Sequence, residues 1–134
     1  MYRFHVACHI QQPCFESCLL QELVYAFMSF ATVLKGHRDC ITSVQFSVDD
    51  KSVISASADQ TVSIWDMFTG LCTSTLRGHI SAVWSVAVNA NGTKIATASL
   101  DNTIKIWDTA TRSCTLTLFG HSGMVLNVTN LTSR

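Results

Sequence analysis

Along most of this chain, short runs of β-branched and other apolar residues alternate with polar ones, and clusters of turn residues break the runs. Alternation of period two, bounded by Asp, Asn, Gly and Ser, predicts half-buried or buried β-strands joined by tight turns. The predicted strands are Thr32–Leu34, Ile41–Phe46, Ser52–Ser57, Val62–Trp65, Val83–Val88, Lys94–Ser99 and Ile104–Trp107, with outer strands after the turns Met67–Gly70 and Thr109–Arg112. Ala58-Asp59-Gln60 and Leu100-Asp101-Asn102 are the tight turns inside the two strand groups. One stretch follows another period. From Phe15 to Phe30, apolar residues fall at Leu19, Leu20, Leu23, Val24, Phe27 and Met28, which is helical spacing, with Pro13 before it and Ser17 as a cap. Residues 15–30 are therefore expected to form an amphipathic helix packed on the edge of the strand region. Glu16, Gln21 and Glu22 leave too short an apolar run for a membrane span. With Arg3 as the sole early charge and a late apolar run, the stretch is also a poor signal peptide.

The strand pattern repeats. Gly36-His37, Gly78-His79 and Gly120-His121 recur every 42 residues, as do Trp65-Asp66 and Trp107-Asp108. Ser43/Ser85, Val44/Val86, Ala56/Ala98, Ser57/Ser99, Asp59/Asp101, Thr61/Thr103, Ile64/Ile106, Thr69/Thr111, Cys72/Cys114 and Leu76/Leu118 match at the same offset. A fixed period of this length marks a repeat architecture. With Gly-His near the start and Trp-Asp near the end of each unit, the region from about residue 31 onward resembles the WD-repeat β-propeller family.

The resemblance implies an all-β chain of WD-repeat blades, about two and a half of them, an incomplete propeller with an N-terminal helix. Residues 1–30 are then a non-repeat N-terminal segment and 31–134 the repeat region, with repeats at 36–77 and 78–119 and a partial third at 120–134. Thr32–Leu34 becomes the last strand of a preceding blade whose other strands are absent. Met124–Val128 becomes the inner strand of a blade whose hairpin partners are missing.

The family ties each blade together with a buried hydrogen-bond chain. Carried over, it consists of His37, Asp59, Ser57 and Trp65 in the first repeat and His79, Asp101, Ser99 and Trp107 in the second. By strand alternation Ser55 and Thr97 point the same way, so either hydroxyl of each pair could serve. The chemistry is sound without the family, because a buried indole N–H needs an acceptor and a buried carboxylate needs donors. A His, an Asp and a Ser also invite a hydrolase reading. Each set recurs once per repeat, however, whereas a catalytic triad is a single constellation, and no phosphate loop or nucleophile elbow accompanies them. No catalytic residues, no cofactor and no metal are expected, and the chain is read as not an enzyme.

Function is then expected where the repeats differ at exposed positions. The resemblance places Thr42, Ala58, Trp84, Leu100, Met124 and Leu126, with Cys40 and Ala82, on the top face of the blades as a protein-binding surface. Trp84 stands out, because its equivalents are Thr42 and Leu126. It is either an exposed binding hot spot or a filler between blades. The implied function is a non-catalytic protein–protein interaction scaffold. The alternative is a truncated isoform or fragment of a longer WD-repeat protein, without independent function or competing with the full-length form.

Composition narrows the rest. Nine basic and nine acidic residues cancel, which gives no electrostatic case for nucleic acid or an anionic membrane. The expected partners are other proteins, with self-association or association with a longer propeller protein through the open ends. Of six Cys, Cys72 and Cys114 are repeat-equivalent and read as small buried hydrophobes, so reduced thiols and an intracellular location, cytoplasm or nucleus, are expected. His5, Cys8, His9, Cys14 and Cys18 do not have the paired spacing of structural zinc sites. Asn91, Asn127 and Asn130 begin glycosylation sequons that read as coincidence.

Overall fold

The computed structural model describes residues 5–7, 22–27 and 30–129, and no helix occurs among them. Among the described residues, eleven strands form three antiparallel sheets. The first holds β1 (His5–Ala7), β2 (Glu22–Phe27) and β3 (Phe30–Lys35) in sequence order. The second, blade 1, holds β4 (Ile41–Phe46), β5 (Ser52–Ser57), β6 (Val62–Asp66) and β7 (Cys72–Leu76). The third, blade 2, repeats it with β8 (Val83–Val88), β9 (Lys94–Ser99), β10 (Ile104–Asp108) and β11 (Cys114–Leu118).

Each blade is a meander because each connection is a short turn. In blade 1 the β5–β6 turn places Gln60 at φ 72°, and the backbone N–H of Gln60 donates to Ser57 O at 3.2 Å. Asn102 repeats this at φ 68°. The register repeats as well: β5 pairs Val53 with Trp65 and Ile54 with Ile64, while β9 pairs Ile95 with Trp107 and Ala96 with Ile106. A bulge interrupts the inner pair in both blades, between Ile41 and Ser43 and between Val83 and Ser85.

The blades stack face to face. Strand alternation sends Ile54, Ala56, Val62, Ile64 and Leu76 of blade 1 against Val83, Val86, Val88, Ile95 and Trp107 of blade 2 in one core. The opposite face of blade 1 packs Ile41, Val53, Trp65 and Met67 against Leu34 of β3, with Val44 and Phe46 at the margin. Both faces of blade 1 are thus covered. Blade 2 is covered on one face only: Leu76 is 3% exposed, but its equivalent Leu118 is 42% exposed. Ile104 and Ile106 are likewise half-buried where Val62 and Ile64 are buried.

The structure corrects several expectations. Glu22–Phe27 is a strand, not part of a helix, and pairs with β3 from Glu22↔Lys35 to Phe27↔Phe30. Residues 15–21, 28 and 29 lie outside the described residues, as do Cys8, His9, Cys14, Cys18 and Asn130. The physical reason is an edge: β3 must satisfy its backbone N–H and C=O groups along one side, which a strand does and a helix cannot. That context overrides the helical spacing of a segment that also contains Val, Tyr and Phe, all compatible with a strand. The blade before blade 1 is consequently represented by three strands rather than one. Met124–Val128 joins no sheet ladder among the described residues. Cys72 and Cys114 are exposed rather than buried, and Cys40 is disulfide-bonded, against the expectation of reduced thiols.

Candidate functional site

Two equivalent polar chains run through the blades. The indole N–H of Trp65 donates to Ser55 Oγ at 2.8 Å, and Ser55 Oγ lies 2.7 Å from His37 Nε2. His37 Nδ1 lies 2.9 Å from Asp59 Oδ2. Blade 2 repeats the path: Trp107 Nε1 to Thr97 Oγ1 at 2.9 Å, Thr97 Oγ1 to His79 Nε2 at 2.7 Å, and His79 Nδ1 to Asp101 Oδ2 at 2.7 Å. The two ends fix the directions, because the indole can only donate and the ionised carboxylate can only accept, which puts the ring proton on Nδ1 and leaves Nε2 as an acceptor. The hydroxyl then accepts from the indole and donates to Nε2.

Of the two hydroxyls open in each repeat, Ser55 and Thr97 therefore stand in the chain. Ser57 and Ser99 are buried beside it with another task. Ser57 Oγ donates to Asp39 O at 3.1 Å and accepts the Asp59 N–H at 3.1 Å; Ser99 Oγ does the same with Ser81 O and the Asp101 N–H. They tie the tight turn to the loop after Gly-His.

The carboxylates close the turns. Asp59 accepts the backbone N–H of Arg38 and, through Oδ1, both the N–H and the hydroxyl of Thr61. Asp101 does so with Ile80 and Thr103. Burial pushes the Asp101 carboxyl up, but bonds from Thr103, His79 and Ile80 outweigh it and hold the pKa at about 2. Asp59 is lowered by the same balance, with Thr61, Arg38 and His37 outweighing burial. Burial lowers His79, and Asp101 opposes that only in part. A neutral imidazole beside an ionised carboxylate fits the bond directions.

Sequence reasoning missed three contributors. Gly36 and Gly78 lie under the indoles, and a Cβ on Gly36 would stand 2.9 Å from Trp65 Cη2, one on Gly78 3.2 Å from Trp107 Cη2. Asp66 and Asp108, the second half of Trp-Asp, accept the backbone N–H groups of Phe68 and Thr69, and of Ala110 and Thr111. The third is Thr61 with its equivalent Thr103. The recurring Asp-x-x-Thr and Asp-x-Thr spacings are the signals that could have found these two sets, since short Asx-type turns use them.

The linkage Asp–His–Ser has the connectivity of a hydrolytic triad, but the geometry seals it. Ser55 and Thr97 are both 0% exposed, and each hydroxyl already takes an indole N–H. A carbonyl cannot approach such an oxygen without unpacking the blade. Among the described residues no buried side-chain nitrogen or oxygen lacks a partner, so the networks are closed.

The expected top-face positions gather along one rim. Ala58 N–H donates to Cys40 O and Leu100 N–H to Ala82 O, which sets each tight turn beside the start of its blade's inner strand. Thr42 is not free for a ligand, because its hydroxyl donates to Val83 O at 2.6 Å. Trp84 sits in the β8 bulge and is 43% exposed, while Val83 and Ser85 on either side are buried. Met124 and Leu126 are 62% and 54% exposed. Ala58 and Leu100 are half-buried.

Comparison with known proteins agrees with this architecture. The family model described as "WD domain, G-beta repeat" matches residues 28–66 and 70–108. The WD repeat-containing protein 89 homolog of Dictyostelium discoideum is 44% identical over 43 residues, which are 32% of this chain and 12% of that protein. Periodic tryptophan protein 2 of Saccharomyces cerevisiae is 39% identical over 62 residues, 45% of this chain and 7% of the relative. Among solved structures, that of U3-55K superposes with a TM-score of 0.66 at 26% identity, over 68% of this chain and 30% of that one. The chain thus spans a small part of the proteins it matches. The paired Gly-His and Trp-Asp networks and the family match over β3–β6 and β7–β10 lead to one assignment: the chain belongs to the WD40 repeat family, whose modules commonly serve as protein-interaction scaffolds.

Proposed function

We propose that this chain is a non-catalytic platform that binds another protein through the rim around Trp84, with Leu100, Ala58, Met124 and Leu126 beside it and Thr42 holding the adjacent blade edge. The polar chains of His37, Asp59, Ser55 and Trp65, and of their repeat equivalents, serve to hold the blades rigid beneath that rim. The observation that carries the reading is the exposure of Trp84 within a strand whose other residues are buried. A large aromatic turned outward costs hydration unless a partner covers it, and such residues dominate binding energy at interface centres. The balanced charge favours a partner read by shape and apolar contact rather than by a strong field. An intracellular location is part of this reading.

The test is capture of binding proteins by the intact chain, compared with Trp84→Ser and with Phe68→Ser, a control at another exposed apolar residue, 82% exposed in the β6–β7 turn. Loss of a hot spot of about 2 kcal/mol weakens affinity roughly thirtyfold. Trp84→Ser is expected to release the specific partners at an unchanged melting temperature, while Phe68→Ser retains them. Full retention by Trp84→Ser would sink the proposal.

A further inference from the structure

At the outer edge of blade 2 a cleft of about 420 Å³ opens between the loop Gly78–Ile80 and the strands β10 and β11. Lys105, Thr117 and Phe119 form its strand side. Lys105 lies opposite Thr117 in the β10–β11 ladder and two residues before Trp107, so these side chains share the face of blade 2 that packs on blade 1. The cleft therefore stands apart from the uncovered face of blade 2, which carries Ile104, Ile106 and Leu118.

Two apolar side chains flank the cleft and stand out in water: Ile80 is 83% and Phe119 80% exposed. Single apolar residues scattered on a surface need no explanation, but two at the mouth of one cleft do. The fold does not require them. One repeat earlier, the position of Ile80 holds Arg38 and that of Phe119 holds Arg77, both exposed. The position of Lys105 holds Ser63, which is buried. Blade 2 has thus exchanged two cations at the mouth for apolar side chains and set one half-buried cation within.

That cation has bonds to spare. Lys105 Nζ donates to Thr117 Oγ1 at 2.9 Å and makes no ion pair among the described residues. An ammonium has three N–H donors, so two remain. Asp101 lines the same cleft but does not compete for them. Its two oxygens already take four bonds, from His79 Nδ1, the Ile80 N–H, and the N–H and hydroxyl of Thr103. An apolar mouth over a half-buried ammonium is complementary to a large apolar side chain next to a carboxylate.

We propose that this cleft is a second docking site, for a short acidic segment of another protein. The segment sets one large apolar side chain against Ile80 and Phe119 and a neighbouring Glu or Asp carboxylate on Lys105. Covering the two exposed side chains supplies attraction, and the charged bond sets the orientation. The observations behind this site are separate from those at Trp84.

The probe is a fluorescein-labelled Gly-Ser-Leu-Glu-Ser-Gly peptide, titrated with the intact chain and followed by anisotropy. Replacing its Glu by Lys, or its Leu by Ser, is expected to weaken binding about tenfold or more. In the protein, Ile80→Arg combined with Phe119→Arg installs the residues that blade 1 carries, which the same fold already accommodates. This double change is expected to weaken binding about tenfold or more at an unchanged melting temperature, while Phe68→Ser binds as the wild type does. Lys105→Gln is expected to bind the Glu and Lys peptides alike, which loss of packing alone would not produce. The proposal is overturned if the Leu-Glu peptide does not bind at millimolar concentration, if its Lys counterpart binds equally well to the wild type, or if the doubly substituted protein still binds fully. Loss of binding in Trp84→Ser would put the peptide on the rim and overturn it as well. So would a wild-type dimer that the double change dissociates, because the occupant would then be a second copy.

Discussion

Thr97→Val is the most informative single change, because it alters chemistry while keeping shape. Thr97 is 0% exposed, and its hydroxyl is the joint between Trp107 and His79. Valine fills nearly the same volume, so little of the cost comes from a cavity. Two groups lose their partners at once: the indole N–H, which then has no acceptor, and His79 Nε2, which then has no donor. Leaving a buried polar group unsatisfied costs about 1–3 kcal/mol. The two losses share one site and do not add in full, so a total of roughly 2–4 kcal/mol is expected. Ser99→Ala is the comparison. It removes the turn bonds to Ser81 O and the Asp101 N–H, at 3.2 and 3.1 Å, and costs about 1–2 kcal/mol by the ordinary value of such bonds. Urea unfolding followed by tryptophan fluorescence reads both from the shift in midpoint at constant slope. The reasoning is refuted if Thr97→Val unfolds at the wild-type midpoint, or if Ser99→Ala costs more than Thr97→Val.

Two further expectations follow from the same networks. Gly36→Ala should destabilise the chain by about 1–3 kcal/mol, because its Cβ would meet the buried Trp65 ring at 2.9 Å and overpack it; Gly123→Ala, with no atom within 4 Å of the new Cβ, should leave the melt unchanged. Acidification should destabilise the fold in two stages. His79 has its folded pKa lowered, so its contribution is complete above the unfolded value of about 6.5 and is lost as pH falls below it. Asp101, at about 2 when folded, contributes fully above about 4 and loses that contribution between about 4 and 2. Urea midpoints measured at successive pH values should therefore fall steadily below neutrality, and a flat profile down to pH of about 3 would contradict the His79–Asp101 assignment.

By itself the sequence determined the repeat and the strands of both blades, and it pointed to the His, the Asp and the Trp of each polar set. It did so because two copies of one pattern act as an internal alignment: His37 and His79, or Trp65 and Trp107, coincide at one offset. It also limited the hydroxyl to one of two positions per repeat. Strand alternation puts Ser55 and Ser57 on the same face, and only the reach of the indole, decided by the β5–β6 pairing of Val53 with Trp65, selects Ser55. The N-terminal segment went the other way. The spacing of Leu19, Leu20, Leu23, Val24, Phe27 and Met28 suits a helix, but the exposed ladder of β3 is a nonlocal demand that periodicity does not encode. Exposure of Cys72 and Cys114 is of the same kind: their strands are outermost in each sheet, a place set by sheet order. The difference between Leu76 and Leu118 is the plainest instance. The two residues are identical in type and in repeat position, and only the presence of a neighbouring blade makes one of them core.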